Sequence, residues 1–262
     1  MKGMVINMNR VYITGDLHGN VDHIEKFIHN NYDTHCFDYT DTMILLGDAG
    51  LNYYLNKKDD FFKKQLSALP MIFFVIRGNH EARPSNIFNK DKWHTEIFFD
   101  NEVYVENEYP NIKYAMDTPT VYEIKGKTVL VYPGAYSVDK HYRLMQGWRW
   151  FKDEQLTSEE MQVGRIMAEC YKDDTDIILS HTAPEEFEPR DLFIPSISQS
   201  TVDKTMESYL QEIHEMVNYK LWCWGHYHAD RLYPPEDGKN QVMFFRTIKD
   251  LEVLFTQLEK IK

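Results

Sequence analysis

The sequence predicts a layered α/β fold, and three observations carry that reading. Short apolar runs rich in β-branched and aromatic residues recur at 11–14, 43–46, 71–76, 129–132, 177–179 and 221–224. They show little polar alternation, as expected of strands buried on both faces. Helical patterns lie between them, and strands interleaved with helices pack as sheets covered by helical layers.

The elements follow in order. The first three runs each lead into a glycine, at Gly15, Gly47 and Gly78, and the last leads into Gly225. Residues 159–171 form a helical pattern opened by Thr157-Ser158-Glu159-Glu160, a capping box in which the Thr157 hydroxyl and the Glu160 carboxylate satisfy each other's free backbone N–H groups. Residues 202–219 place Val202, Met206, Tyr209, Ile213, Met216 and Val217 on one helical stripe. Residues 185–200, with Pro184, Pro189 and Pro195 in or beside them, lack periodicity and read as a long loop and candidate lid. The closing runs 242–247 and 251–255 flank Lys249-Asp250 and read as a hairpin. No repeat or linker divides the chain, so a single domain over 1–262 is expected.

Composition bounds the function. A chain of 262 residues with 43% hydrophobic and 27% charged residues has the balance of a globular protein with a sizeable core. No stretch approaches the roughly 18 apolar residues that cross a bilayer. Residues 1–8 carry no long apolar segment, so no export leader and a cytoplasmic location are expected. Cys36, Cys170 and Cys223 are scattered and odd in number, which argues for free, mostly buried thiols. A net charge of −12 opposes nucleic acid as a partner, because such affinity comes chiefly from neutralising phosphates.

The chemistry sits at the strand ends. After the apolar runs come Asp16 and His18, then Asp48, then Asn79 and His80, then His181, then His226 and His228. The carboxyl edge of an open α/β sheet is where ligands bind. A glycine before the donor in four of the five cases lets the chain turn sharply and aim the next side chain inward. Asp-x-His and His-x-His spacings put both members of each pair on one side of an extended chain. Taken singly, a Gly-Asp pair is an ordinary turn, and a lone His181 or His226 is an ordinary core histidine. Five such elements in order make a metal site the better reading. Two carboxylates, an amide and four imidazoles without thiolate suit manganese foremost, with iron, zinc, cobalt or nickel as alternatives. Seven donors exceed one tetrahedral ion and match two ions sharing a carboxylate.

These elements resemble the signature of the calcineurin-like metallophosphoesterase superfamily: Asp-x-His, Gly-Asp, Gly-Asn-His-Asp/Glu, His, Gly-His-x-His. The resemblance runs from Gly15 to His228 and implies a four-layer α/β/β/α sandwich with two mixed sheets. It implies that Asp16, His18 and His228 hold one ion, that Asn79, His181 and His226 hold a second, and that Asp48 bridges them. It also implies that His80 stabilises charge and protonates the leaving oxygen. The expected reaction is hydrolysis of a phosphomonoester or phosphodiester by a hydroxide shared between the ions, with Asp48 and His80 as the catalytic pair.

Departures from the pattern bear on the substrate. Serine/threonine phosphatases of this superfamily carry Gly-Asp-x-x-Asp-Arg-Gly, whereas this chain has Gly47-Asp48-Ala49-Gly50-Leu51-Asn52-Tyr53. A small phosphoester or nucleotide is therefore expected ahead of a phosphoprotein, with a metal-binding scaffold as the non-enzymatic alternative. Asn79, His80 and Arg77 are the candidate substrate contacts. Arg77 is open to a second reading as a salt bridge at the sheet edge, and Glu81 as either a partner of His80 or a structural group. The cluster Tyr136, His141, Tyr142, Arg143, Trp148, Arg149 and Trp150 reads either as loop packing or as a base-and-phosphate surface.

Overall fold

The computed structural model describes residues 9–33, 35–193, 195, 197–235 and 237–258. The reading of residues 1–8 as lacking a leader falls outside that range. Four parallel strands, β1 (Val11–Thr14), β2 (Thr42–Leu45), β3 (Ile72–Val75) and β6 (Ile112–Tyr114), form the centre of one sheet. Antiparallel strands β4 (Trp93–Phe98) and β5 (Asn101–Glu106) extend it beyond β6, and β13 (Lys249–Asp250) pairs antiparallel with β1. The second sheet has parallel β8 (Lys127–Tyr132), β9 (Ile177–Ser180), β10 (Leu221–Trp224) and β12 (Asn240–Met243). Antiparallel β7 (Thr120–Ile124) and β11 (Arg231–Leu232) close its two edges. Both sheets are mixed, as expected.

Side-chain parity builds the layers. In β1, Val11 and Ile13 join the apolar cluster between the sheets, while Tyr12 joins the cluster on the outer face. β10 divides the same way, with Leu221 and Cys223 inward and Trp222 and Trp224 outward. Helices α1 (Asp22–Asn31) and α2 (Lys57–Ser67) cover the first sheet through Ile24, Ile28 and Leu66. α5 (Ser158–Cys170) and α6 (Thr205–Met216) cover the second through Met161, Ala168, Met206, Leu210 and Ile213. Two sheets face to face with helices outside are the four-layer sandwich expected. Each fully buried Val, Leu, Ile or Phe contributes about 1.5–3 kcal/mol, which is why these strands are apolar on both faces.

The α5 capping box is present: Thr157 accepts from Glu160 N, and Glu160 accepts from Thr157 N. Residues 185–200 hold short 3-10 turns at Glu185–Phe187 and Arg190–Leu192, with a third at Gln199–Thr201. β4 and β5 are joined by Phe99 and Asp100, both at positive φ (54° and 61°), a turn whose twist suits a tight hairpin.

Two expectations are corrected. The closing hairpin is absent: β12 and β13 belong to different sheets, and residues 251–258 are helix α7 (Leu251–Leu258). Leu251, Leu254, Phe255 and Leu258 recur at helical spacing and pack on the inter-sheet core. Asp250 caps the helix, its Oδ1 accepting from Glu252 N and Val253 N at 3.0 Å each. The thiols are free, but only Cys223 is buried; Cys36 and Cys170 are exposed. Among the described residues no helix is long and apolar enough to cross a membrane.

Candidate metal centre

Because β1, β2 and β3 run parallel, they release Asp16, Asp48 and Asn79 at one edge; β9 and β10 bring His181 and His226 to the same place from the other sheet. The seam is stitched by backbone: Gly225 N donates to His181 O at 2.9 Å, and His226 N donates to both Asp16 oxygens at 3.2 and 3.0 Å. Asp16 and His181 are fully buried and Asp48 and Asn79 nearly so, whereas the His228 side chain is half exposed. The cluster therefore has a closed floor and an open mouth.

Its donors converge. His18 Nε2 and His228 Nε2 lie 2.8 Å apart, and His228 Nε2 lies 3.8 Å from Asp16 Oδ2. These three residues present ligand atoms all within 4.8 Å of one another, and so do His18, Asp48 and His80. His181 donates from Nδ1 to the Leu46 carbonyl at 2.7 Å, which fixes the tautomer. Its Nε2 then faces Asn79 Oδ1 at 3.0 Å and Asp48 Oδ2 at 3.4 Å, a position that a proton on Nε2 or a cation fills. Electron-rich atoms packed against one another in the interior call for a cation, and the oxygen and imidazole donors fit a divalent metal. His226 stands beside them, its ring 5.0 Å from that of His181.

The electrostatics express the same demand. Burial pushes the Asp16 carboxyl up to about 8, with Asp48 adding to the push and His181 opposing it. Burial disfavours charge on His181 as well, yet Asp48 and Asp16 outweigh it and raise the imidazole to about 9. Burial also opposes the Asp48 anion, but His80 and His181 overcome it and hold Asp48 well below the usual carboxylate range.

The glycines act mainly through space rather than through φ. Of the four that precede donors, only Gly47 has positive φ, at 94°. A Cβ on Gly78 would sit 2.1 Å from Asp48 Oδ1, on Gly225 2.7 Å from Asp16 Oδ1, and on Gly15 2.2 Å from Phe244 O. The left-handed conformation falls instead on donors themselves: His18, Asp48, His226 and His228 have φ of 49°, 46°, 70° and 53°. Such backbone costs of order 1 kcal/mol or more per non-glycine residue and clusters at functional sites.

A second layer holds the donors. Asn79 Nδ2 donates to Ser137 Oγ at 2.9 Å, so its Oδ1 faces the cluster, and Ser137 Oγ donates to Glu154 Oε2 at 2.5 Å. Glu81 does not reach His80. It is buried and accepts from Gly50 N at 3.0 Å and Gly78 N at 3.2 Å, tying the Asp48 loop to the Asn79 loop. Thr182 Oγ1 donates to Glu207 Oε1 at 2.8 Å and lies 3.1 Å from Tyr227 Oη, linking the His181 turn to the His226 turn.

Arg77 is not brought to the cluster. Its buried guanidinium donates to Glu154 O at 2.7 Å and lies 3.5 Å from Asp117, the internal tie that is the second of the two readings of this residue. The arginine at the site is Arg143 of α4 (Lys140–Met145), whose guanidinium lies directly against the His80 ring. It is also held by Asp139 at 2.8 Å and lies over the Tyr53 ring at 5.7 Å. His80 is pushed down to about 4, first by burial and then by Arg143, against the pull of Asp48. Only the aromatic and cationic composition of residues 136–150 hinted at this role.

Two clefts open from His80. One, of about 310 Å³, is lined by Asn79 and His226 together with Leu192, Phe193 and Ile197 of the 185–200 loop. The other, of about 480 Å³, runs past His18 and Arg143 between Tyr53 and Trp148. From the expected aromatic cluster, Arg143, Trp148 and Arg149 line this second cleft, whereas Tyr136 lines the first.

A four-layer sandwich with oxygen and imidazole donors at its carboxyl edges is the architecture of a metallophosphoesterase. The profile of the calcineurin-like phosphoesterase family matches residues 9–230, and the chain belongs to that family. By that membership it is a phosphoesterase of the metal-dependent class. A search of curated proteins finds no significant match. Solved structures of similar fold include the phosphopantetheinyl hydrolase PptH from Mycobacterium tuberculosis (14% identity, TM-score 0.45, 90% of each chain covered). They also include a novel archaeal phosphodiesterase (12%, 0.39, 93% of this chain and 94% of that one). GAP50, the anchor in the inner membrane complex of Plasmodium, is a third (13%, 0.44, 90% and 71%). At these identities and scores they transfer neither substrate nor residue roles.

Proposed function

We propose that the chain is a dinuclear phosphoesterase that hydrolyses a small phosphomonoester or phosphodiester, with manganese the foremost metal. The carrying observation is the position of Asp48. Its carboxylate lies 3.4 Å from His181 Nε2, which itself faces Asn79 Oδ1, on one side and falls within one ligand set with His18 and His80 on the other. Asp16, His18 and His228 are assigned to one ion, Asn79, His181 and His226 to the second, and Asp48 to both. When bound, such ions neutralise phosphoryl oxygens and lower the pKa of water to give a nucleophile near neutral pH.

The chain's own groups supply the rest. Arg143 offers a guanidinium to a non-bridging phosphate oxygen, in place of Arg77 and of the arginine missing after Gly47-Asp48. His80 is the proton donor to the leaving oxygen. Its protonated form is disfavoured first by burial and then by Arg143, and the negative charge of an anionic phosphoryl group beside the ring opposes both. The clefts on either side of His80 receive the two ends of the substrate.

Calorimetric titration of the metal-stripped protein with manganese is expected to show two ions per chain, and the loaded protein to hydrolyse p-nitrophenyl phosphate or bis(p-nitrophenyl) phosphate. His80→Ala is expected to bind both ions and lose about 100-fold or more in turnover on an ester with a poor leaving group. Failure to hydrolyse either ester, or full turnover with a single ion, refutes the proposal.

A further inference from the structure

The two clefts that meet at His80 differ in charge and in surface. Among the described residues the first is lined by Asp48, Glu188, Asp203 and Glu207, and by Asp139, which it shares with the second; Lys204 is its one lysine or arginine and is already paired with Glu188. The second is lined by Arg143 and Arg149, with Asp139 its one carboxylate, already paired with Arg143. Arg149 is exposed and, among the described residues, has no carboxylate partner. A substrate that carries negative charge beyond the reacting phosphoryl group is therefore accepted by the second cleft and repelled by the first.

The walls of the second cleft are rings. Tyr53 and Tyr54 rise from the loop after β2, with centroids 4.7 Å apart, and the Tyr53 ring stacks toward His80 at 6.0 Å and 29°. Opposite them stands Trp148, which is 53% exposed although it sits beside a buried arginine. Trp148 follows Gly147, whose φ of 66° turns the chain out of α4, and its N–H donates back to Arg143 O at 2.8 Å. Tyr53 Oη donates to Arg149 O at 3.3 Å and joins the two walls. The indole meets the Tyr142 ring edge-to-face at 5.6 Å and 88°, and the half of its surface left in solvent is free to serve as a stacking platform. The volume of about 480 Å³ lies within the range of about 300–1,000 Å³ usual for small-molecule sites.

We infer that the cleft between Tyr53 and Trp148 is a nucleobase subsite, so that the substrate of the neighbouring metal centre is a nucleoside phosphate. Its base stacks on Trp148, and Arg149 meets a phosphate or ribose oxygen that does not react. The inference rests on the phosphoesterase reading for the reacting end only; the subsite is defined by its own residues. A polymer is disfavoured by the net charge of −12, which leaves a free nucleotide as the fitting size class.

The test uses the manganese-loaded full chain and two competitors that differ only by a base, adenosine 5′-monophosphate and ribose 5-phosphate. Each is measured as an inhibitor of bis(p-nitrophenyl) phosphate or p-nitrophenyl phosphate hydrolysis. The nucleotide is expected to have an inhibition constant at least about tenfold below that of the sugar phosphate. Trp148→Ala is expected to collapse that ratio toward one, and Trp148→Phe to restore most of it. A general structural role for Trp148 moves both constants together and leaves the ratio intact. Equal constants in the unaltered protein, or an unchanged ratio in Trp148→Ala, overturn the inference. If neither chromogenic ester is hydrolysed, the phosphoesterase reading fails alone. The same affinity ratio, read by calorimetry, then still decides the subsite.

Discussion

Ser137 touches no donor atom of the cluster other than through Asn79, yet replacing it by alanine should loosen a metal. Ser137 Oγ accepts from Asn79 Nδ2 at 2.9 Å and donates to Glu154 Oε2 at 2.5 Å, with all three residues buried. Alanine leaves an amide N–H and one carboxylate oxygen without that partner, while Ser137 N still donates to Glu154 Oε1 at 2.9 Å. A buried group stripped of its partner costs about 1–3 kcal/mol, so the pair should cost about 3 kcal/mol. For a chain of this size that lowers Tm by roughly 6–12 °C, within reach of scanning calorimetry. The second consequence is directional: without Ser137 the Asn79 amide loses the bond that keeps Oδ1 facing His181. Outer partners of ligands typically contribute 10–100-fold in metal affinity. Titration with manganese should therefore show one ion weakened by about tenfold or more and the other largely retained. Ser137→Ala protein that unfolds at a lower temperature but binds both ions unchanged would refute the assignment of Asn79 as a ligand.

Three further outcomes follow from the geometry. Gly78→Ala places a Cβ 2.1 Å from Asp48 Oδ1 and is expected to weaken manganese binding by at least about tenfold; Gly126→Ala, with nothing within 4 Å, should cost about 1 kcal/mol of backbone strain and leave titration unchanged. Burial raises the Glu207 carboxyl from its ordinary 4.5 to about 7, so its stabilising share is complete below pH 4.5 and is lost as pH rises through 7. Glu207→Gln carries no charge and should gain about 2–3 kcal/mol on the unaltered protein between pH 5 and pH 8; the same stability difference between the two proteins at both pH values, read from denaturant midpoints, excludes this account. Asp250→Ala removes the cap on α7 and should cost about 1 kcal/mol, seen as a Tm lower by roughly 2–4 °C with unchanged metal affinity.

Strands that feed the site were legible because their signal is local. Residues 221–224 are apolar on both faces, and the donor pair sits a fixed step beyond; the structure places β10 over the same residues. The capping box at Thr157 was equally local. Residues 251–255 misled because five apolar-rich residues fit a strand as well as a helix. The arbiters were the Asp250 cap and Leu258, at the far end of the pattern. The role of Arg143 was not legible, since its meeting with His80 joins positions 63 residues apart. Nor does composition reveal that Gly15, Gly78 and Gly225 are required by neighbours arriving from other loops. The opposite fates of Arg77 and Arg143 show the same limit: Arg77 sits just past a strand and Arg143 within a helix, both are buried, and only packing decides which one faces the cleft.

The convergence of His18 and His228 has a consequence for how the chain is made. These two side chains are 210 residues apart in sequence and 2.8 Å apart in space. An ion held between them, as proposed, would be a clasp across nearly the whole chain and would remove loop-closure freedom from the unfolded ensemble as a long-range cross-link does. No partial chain ending before β10 contains the complete set. On the proposed ligand set, a growing polypeptide would acquire its metal affinity late, once the second sheet has been synthesised and docked on the first. Metal uptake during synthesis would then be a readout of completed folding, and a chain cut short at α6 should emerge with the first three loops formed in sequence and nothing to close them.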